Sequence, residues 1–170
     1  MGAHRLVAVQ MDTLEHINIE GDSTFALMLE AQARGYSLFV YEVGSLALGE
    51  GVPQPGQHRP ARVSALMRPV SVRREKGNHA TFGEAARRSL SEMDVVLMRQ
   101  DPPFDMAYIT ATHMLDHVHG TGPDQALVVN DSRWVRDCPE KILVTHFPHL
   151  MPPTLVTWDV SEIRAFRAHW

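Results

Sequence analysis

Four short apolar runs, at residues 6–11, 38–41, 95–98 and 126–129, limit what this chain can fold into. Val95-Val96-Leu97-Met98 is apolar at every position, which suits a strand covered on both faces in a parallel sheet rather than one with a wet side. Between the first two runs, Gly21-Asp22-Ser23 offers an N-cap, Phe25, Leu27, Met28, Leu29 and Ala31 form a broad apolar face, and Gly35 stands where a C-terminal cap belongs. This pattern predicts a helix over 23–34. Ala107, Ile109, Met114, Leu115 and Val118, followed by Gly120, predict another over 106–119. Strand and helix alternate, so the expected fold class is α/β: an open, mostly parallel, Rossmann-like sheet with helices on both faces and right-handed crossovers.

The alternation is interrupted between residues 44 and 93. Residues 44–61 are rich in Gly and Pro, and residues 63–72 alternate loosely before the basic string Arg73-Arg74-Glu75-Lys76. This reads as an excursion carrying a hairpin, followed by a short helix over 84–90. Further on, residues 140–147 are expected to be helical and residues 154–158 to form a strand. Ser161-Glu162 should open an amphipathic helix with Ile163, Phe166 and Trp170. That pattern runs to the last residue without a cap, as a helix cut short would.

With 170 residues, 44% of them apolar and 21% charged, the chain has the composition of a folding globular protein. A formal charge of -4 gives no electrostatic reason to expect nucleic acid or an anionic membrane as partner. The first apolar run stops at Asp12, short of membrane-span length. The single Cys138 excludes an internal disulfide and a multi-thiolate zinc site, and fits a reducing cytoplasm. His113 and His117 are spaced to face one ion, but no third ligand completes the set, and no metal site is assigned. No G-x-G-x-x-G, Walker A or H-E-x-x-H string occurs.

Ligands of open α/β sheets gather beyond the carboxyl ends of the strands, which here means residues 12–22, 99–105 and 130–133. In Arg99-Gln100-Asp101-Pro102-Pro103-Phe104-Asp105, two adjacent prolines restrict the backbone and hold the flanking charges in set positions. Arg99 offers a planar fork to a carboxylate, and Asp101 or Asp105 an acceptor to an ammonium, a set suited to an amino-acid-like ligand. The competing reading is structural: Arg99 and Asp101 pair with each other, and Asp105 caps the following helix.

Several longer strings carry a more specific signal. Gln10-Met11-Asp12, Asn18-Ile19, the stretch from Asp22 to Gln32, the stretch from Val95 to Asp105, Tyr108-Ile109-Thr110-Ala111-Thr112, Val129-Asn130-Asp131, Pro139-Glu140-Lys141 and Pro152-Pro153-Thr154-Leu155-Val156-Thr157 together resemble the prokaryotic glutathione synthetase family. They recur in family order across nearly the whole chain, with only residues 48–93 loosely matched.

The resemblance implies a pre-ATP-grasp, substrate-side domain over 1–138 and the beginning of an ATP-grasp domain over 139–170. It implies an ATP-dependent ligase that joins γ-glutamylcysteine to glycine. A carboxylate is a poor electrophile, so in such enzymes it is first phosphorylated to an acyl phosphate, which the glycine amine attacks; Mg²⁺ and basic groups neutralise the phosphate charge. Carried onto this sequence, the family pattern makes Asp12, Asn18, Arg99 and Asp101 candidates for substrate binding and Lys141 a contact to nucleotide phosphate. The remaining ATP and Mg²⁺ groups of the family lie in sequence that follows these motifs, so no catalytic residue is assigned here and the chain alone is expected to be inactive. A cytoplasmic homo-oligomer is the family expectation. The alternative is a non-catalytic module of the same ancestry that binds thiol peptides or serves dimerisation.

Overall fold

The computed structural model describes residues 4–51 and 61–170. The chain divides into two compact units, Met1–Arg136 and Asp137–Trp170. In the first, β1 (Leu6–Gln10) leads through a polar loop to α1 (Ser23–Ala33), followed by β2 (Ser37–Tyr41), β3 (Ala47–Glu50) and β4 (Ala61–Val72). Two short strands come next, β5 (Ala80–Phe82) and β6 (Ala86–Ser89), then β7 (Val95–Met98), α2 (Met106–Asp116), β8 (Leu127–Val129) and α3 (Ser132–Asp137). The second unit holds α4 (Glu140–Leu143), two 3₁₀ turns and α5 (Val160–His169).

The described strands form one mixed sheet in the order β3-β4-β2-β1-β7-β8, with β5 and β6 also paired to β4. Its parallel half is β2-β1-β7-β8, and its antiparallel half is everything attached through β4. The α/β class read from the sequence is the fold observed. The excursion proves larger than one hairpin, contributing four antiparallel strands. Residues 52–60, part of its Gly- and Pro-rich stretch, lie outside the described residues.

The period of two along each strand explains why β1 and β2 carry apolar residues on both faces. Val7, Val9 and Met11 join Leu38 and Val40 in a core under α1, which inserts Phe25 and Met28. Ala8, Phe39 and Tyr41 face the other way, into a second core with Val96, Met98 and, from α2, Leu115. Strand β4 serves both cores: Val63, Ala65 and Met67 enter the α2 side, whereas Val70 and Val72 enter the α1 side. Its hydrophobic positions therefore change parity midway, which is why its alternation reads as loose.

The helix ends follow local chemistry. The Asp22 carboxylate accepts the Phe25 N–H at 2.7 Å, capping α1. Gly35, at φ +80°, turns the chain out of that helix and donates its N–H to the Gln32 carbonyl. Asp105 caps α2 by accepting the Tyr108 N–H at 3.0 Å.

Two sequence expectations are corrected. Residues 84–90 are not a helix: Ala86–Ser89 is a strand antiparallel to β4, and Leu90–Glu92 a 3₁₀ turn. The open edge of β4 supplies backbone partners, and such pairing overrides weak local helix preference. Nor do residues 154–158 form a strand. The second unit offers no strand to pair with, and the segment closes on itself instead, with Thr154 Oγ1 donating to the Pro152 carbonyl at 2.8 Å. No helix among the described residues is long and apolar enough to cross a membrane.

Phe25 is fully buried in the α1 core, so Phe25→Ala should lower unfolding free energy by about 3–5 kcal/mol in urea titrations. Asp94 accepts the Leu6 N–H at 2.8 Å and the Arg5 guanidinium at 2.6 Å, and these bonds, the backbone one foremost, hold its carboxyl below the usual carboxylate range. A depressed carboxylate stabilises the fold above its unfolded value, and that contribution is lost as pH falls through the folded value. Asp94→Asn should therefore lower stability at neutral pH and flatten the loss of stability below about pH 4, as read from unfolding midpoints against pH.

Candidate functional site

The strand order reverses between β1 and β7. From β1 the chain crosses to β2 on one side, and the later strands β7 and β8 add on the other. Loops leaving the carboxyl ends of β1 and β7 lead to α1 and α2 on opposite faces of the sheet, the switch point at which such sheets have their ligand crevice. The sequence candidates Asp12, Arg99 and Asp101 stand on these two loops.

The loops are cross-linked. The Arg99 N–H donates to the Gln10 carbonyl at 2.7 Å, continuing the strand ladder by one step. The Asp101 N–H donates to Asp12 Oδ2, also at 2.7 Å. The Arg99 side chain reaches the first turn of α1, where Nε donates to Thr24 Oγ1 at 3.0 Å and Nη2 to Ser23 Oγ at 2.8 Å. Neutral hydroxyls thus hold the guanidinium, and no carboxylate pairs with it among the described residues. An Arg99–Asp101 ion pair, one of the structural alternatives, is not formed. The other is met in part, since Asp105 is taken up as the α2 cap.

Behind these loops lies a polar chain that the sequence reading missed. Gln10 is fully buried at the end of β1. The Tyr41 hydroxyl donates to Gln10 Oε1 at 3.1 Å, and Gln10 Nε2 donates to Gln100 Oε1, inside the Arg99 loop. Burial pushes the Tyr41 phenol well above its ordinary value, so the hydroxyl stays a donor. A lone glutamine inside an apolar strand was the available clue, because a buried amide must find partners.

Asn18 is placed differently. Its side-chain oxygen accepts the Glu20 N–H at 3.3 Å, and its carbonyl accepts the N–H groups of Gly21 and Asp22, forming the turn that leads into α1. Among the described residues, no hydrogen bond joins it to Asp12, Arg99 or Asp101.

Asp12 also lines a cleft of about 510 Å³ beyond the ends of β1 and β2, walled by the antiparallel strands and shared with Thr13, Glu15, Glu42, Arg68 and Arg87. Arg68 lies 3.3 Å from Glu15 and stacks over the Phe82 ring at 3.8 Å.

A third carboxyl-end loop is given over to structure. Asp131 accepts the Arg133 N–H at 3.0 Å, and Ser132, fully buried, donates to Asp116 Oδ1 at 2.5 Å. Arg136 reaches the same carboxylate at 2.8 Å. Burial raises the Asp116 pKa, but the bonds from Arg136 and Ser132 outweigh it and hold the group below its ordinary value. His119 Nδ1 accepts the Val128 N–H at 3.1 Å, which places the imidazole in the fold as a backbone acceptor.

In the second unit, Lys141 sits in the short helix α4, exposed, with its ammonium engaged by the adjacent Glu140. Among the described residues there is no group of three side chains suited to hold a metal ion. The donor set present offers one ammonium and does not by itself build a nucleotide–Mg²⁺ site, so no phosphoryl-transfer step is assigned to it.

Comparison with known proteins places the molecule. Residues 6–136 match the family model described as prokaryotic glutathione synthetase, N-terminal domain. A glutathione synthetase of Brucella melitensis is 53% identical over 161 residues, covering 95% of this chain and 47% of its own length. One from Mesorhizobium japonicum is 52% identical over the same shares, and one from Shewanella oneidensis 41% identical over 94% of this chain and 47% of its own. The chain thus spans about half the length of the curated relatives it matches. With the family domain matched from the first strand to the end of the sheet-bearing unit, this chain belongs to the prokaryotic glutathione synthetase family.

Proposed function

We propose that this chain supplies the substrate side of a glutathione synthase, the ATP-dependent ligase that joins γ-glutamylcysteine to glycine through an acyl phosphate. One observation carries the reading: Arg99, held by two hydroxyls and lacking a carboxylate partner among the described residues, stands at the strand-order reversal beside the Asp12–Asp101 cross-link. Arg99 takes a carboxylate of the dipeptide, and Asp12 and Asp101 border it. Asn18 shapes the loop entering α1 and closes the same edge. Residues 1–138 form the pre-ATP-grasp domain and 139–170 the opening of the ATP-grasp domain, in which Lys141 meets nucleotide phosphate. The remaining groups for ATP and Mg²⁺ belong to sequence of the kind the longer relatives carry. A cytoplasmic homo-oligomer is part of the same reading and rests on the family alone.

This chain mixed with ATP, Mg²⁺, γ-glutamylcysteine and glycine should release no phosphate and form no glutathione; turnover by the isolated chain would refute the division of labour. A chimera in which it replaces the matching half of the Brucella melitensis relative should restore synthesis. In that chimera, Arg99→Gln should lower kcat/KM roughly ten- to a hundredfold, the size expected for losing a charged hydrogen bond. An inactive but well-folded chimera would favour a non-catalytic module instead.

A further inference from the structure

The cleft walled by the antiparallel strands has an unbalanced set of charges. Arg68 is committed to Glu15 and to the face of Phe82. Arg87, projecting from β6, donates from Nη1 to the Ser45 carbonyl at 3.2 Å and to Ser64 Oγ at 3.4 Å, both neutral acceptors. Its charge meets no carboxylate among the described residues, although a guanidinium has five N–H donors in a fork that matches one. Of the carboxylates lining the same cleft, Glu42 accepts from the Thr13 hydroxyl at 3.3 Å and Asp12 from the Asp101 N–H. Neither has a cationic partner among the described residues. Setting the Arg68–Glu15 pair aside, the cleft presents one unbalanced guanidinium and two unbalanced carboxylates.

A ligand with a carboxylate and an ammonium on one carbon answers both signs at once. We propose that this cleft receives the free α-amino-acid end of a γ-linked peptide, with Arg87 holding the α-carboxylate and Glu42, with Asp12, the α-ammonium. The identification of that peptide as γ-glutamylcysteine rests on the function proposed above. A γ-linkage leaves both α groups of the glutamyl residue free, whereas an α-linkage converts the α-carboxylate to an amide. The cleft therefore distinguishes the two linkages, a choice that groups around the reacting cysteinyl carboxylate would not make. The dipeptide has two carboxylates, and Asp12, which lines the cleft with Arg87, also accepts the Asp101 N–H and so ties the cleft to the loop that bears Arg99. At about 510 Å³, the cleft lies in the size range of small-molecule sites. On this account the antiparallel excursion reads substrate.

The test is calorimetric titration of the whole chain with γ-glutamylcysteine, α-glutamylcysteine and L-glutamate, using wild type, Arg87→Gln, Arg87→Lys and Arg99→Gln. Wild type should bind the γ-linked peptide at least tenfold more tightly than the α-linked one. Arg87→Gln should weaken γ-linked and glutamate binding about tenfold or more, move α-linked binding less than twofold and leave the unfolding midpoint unchanged. Arg87→Lys, which keeps the charge without the fork, should recover part of the loss. A wild type indifferent to linkage, or an Arg87→Gln variant that keeps the preference, overturns the proposal. Loss of γ-linked binding in Arg99→Gln but not in Arg87→Gln also overturns it while leaving the substrate-side reading intact. Conversely, glutamate binding that depends on Arg87, together with a folded but inactive chimera, refutes the synthase reading alone. Absence of binding by all three ligands refutes the cleft.

Discussion

The parallel pairing of β1 with β7 is the contact on which the molecule depends. It joins Val7 to Val95 and Gln10 to Met98 in one register, so segments about ninety residues apart in sequence end at the same height. From that register follow the Arg99–Gln10 backbone bond, the seat of Asp101 on Asp12 and the Gln10–Gln100 amide link. A slip of one residue would exchange the α1 and α2 faces of β7 and part these bonds together. Burial on two sides prevents it, because Val96 and Met98 face one core while Val95 and Leu97 pack against the other.

The arrangement also explains how a charged group is kept available. Arg99 is half-buried, and its Nε and Nη2 donate to the hydroxyls of Thr24 and Ser23, which orient the guanidinium without neutralising it. An acidic residue at either position would have formed an ion pair and spent the charge on the fold. The first turn of α1, positioned by its Asp22 cap, is thus as much a part of the crevice as the loop bearing the arginine.

Much of the parallel half could be read from the sequence, because runs buried on both faces admit few alternatives, and Asp22, Gly35 and Asp105 mark helix ends by local chemistry. The antiparallel half was obscured by long-range pairing. Residues 86–89 become a strand because β4 lies alongside, and residues 154–158 fail to become one because their unit has no partner to offer. In the crevice, Arg99 and Asp101 could be singled out from their loop and Asp12 by family pattern, whereas the roles of Tyr41 and Gln10 required knowing which strands are neighbours. Asn18 was selected by family pattern, and its hydrogen bonds are those of a turn.

Strand β4 gives its first half to one core and its second half to the other. In evolutionary terms, the strand is intolerant of odd-numbered insertions between Met67 and Val70. One added residue would turn either Val63, Ala65 and Met67 or Val70 and Val72 outward, and no adjustment within the strand could restore both sets. Length variation among descendants of this sequence is therefore channelled outside the strand. The excursion can change size and decoration while the strand that joins it to both hydrophobic layers keeps its count.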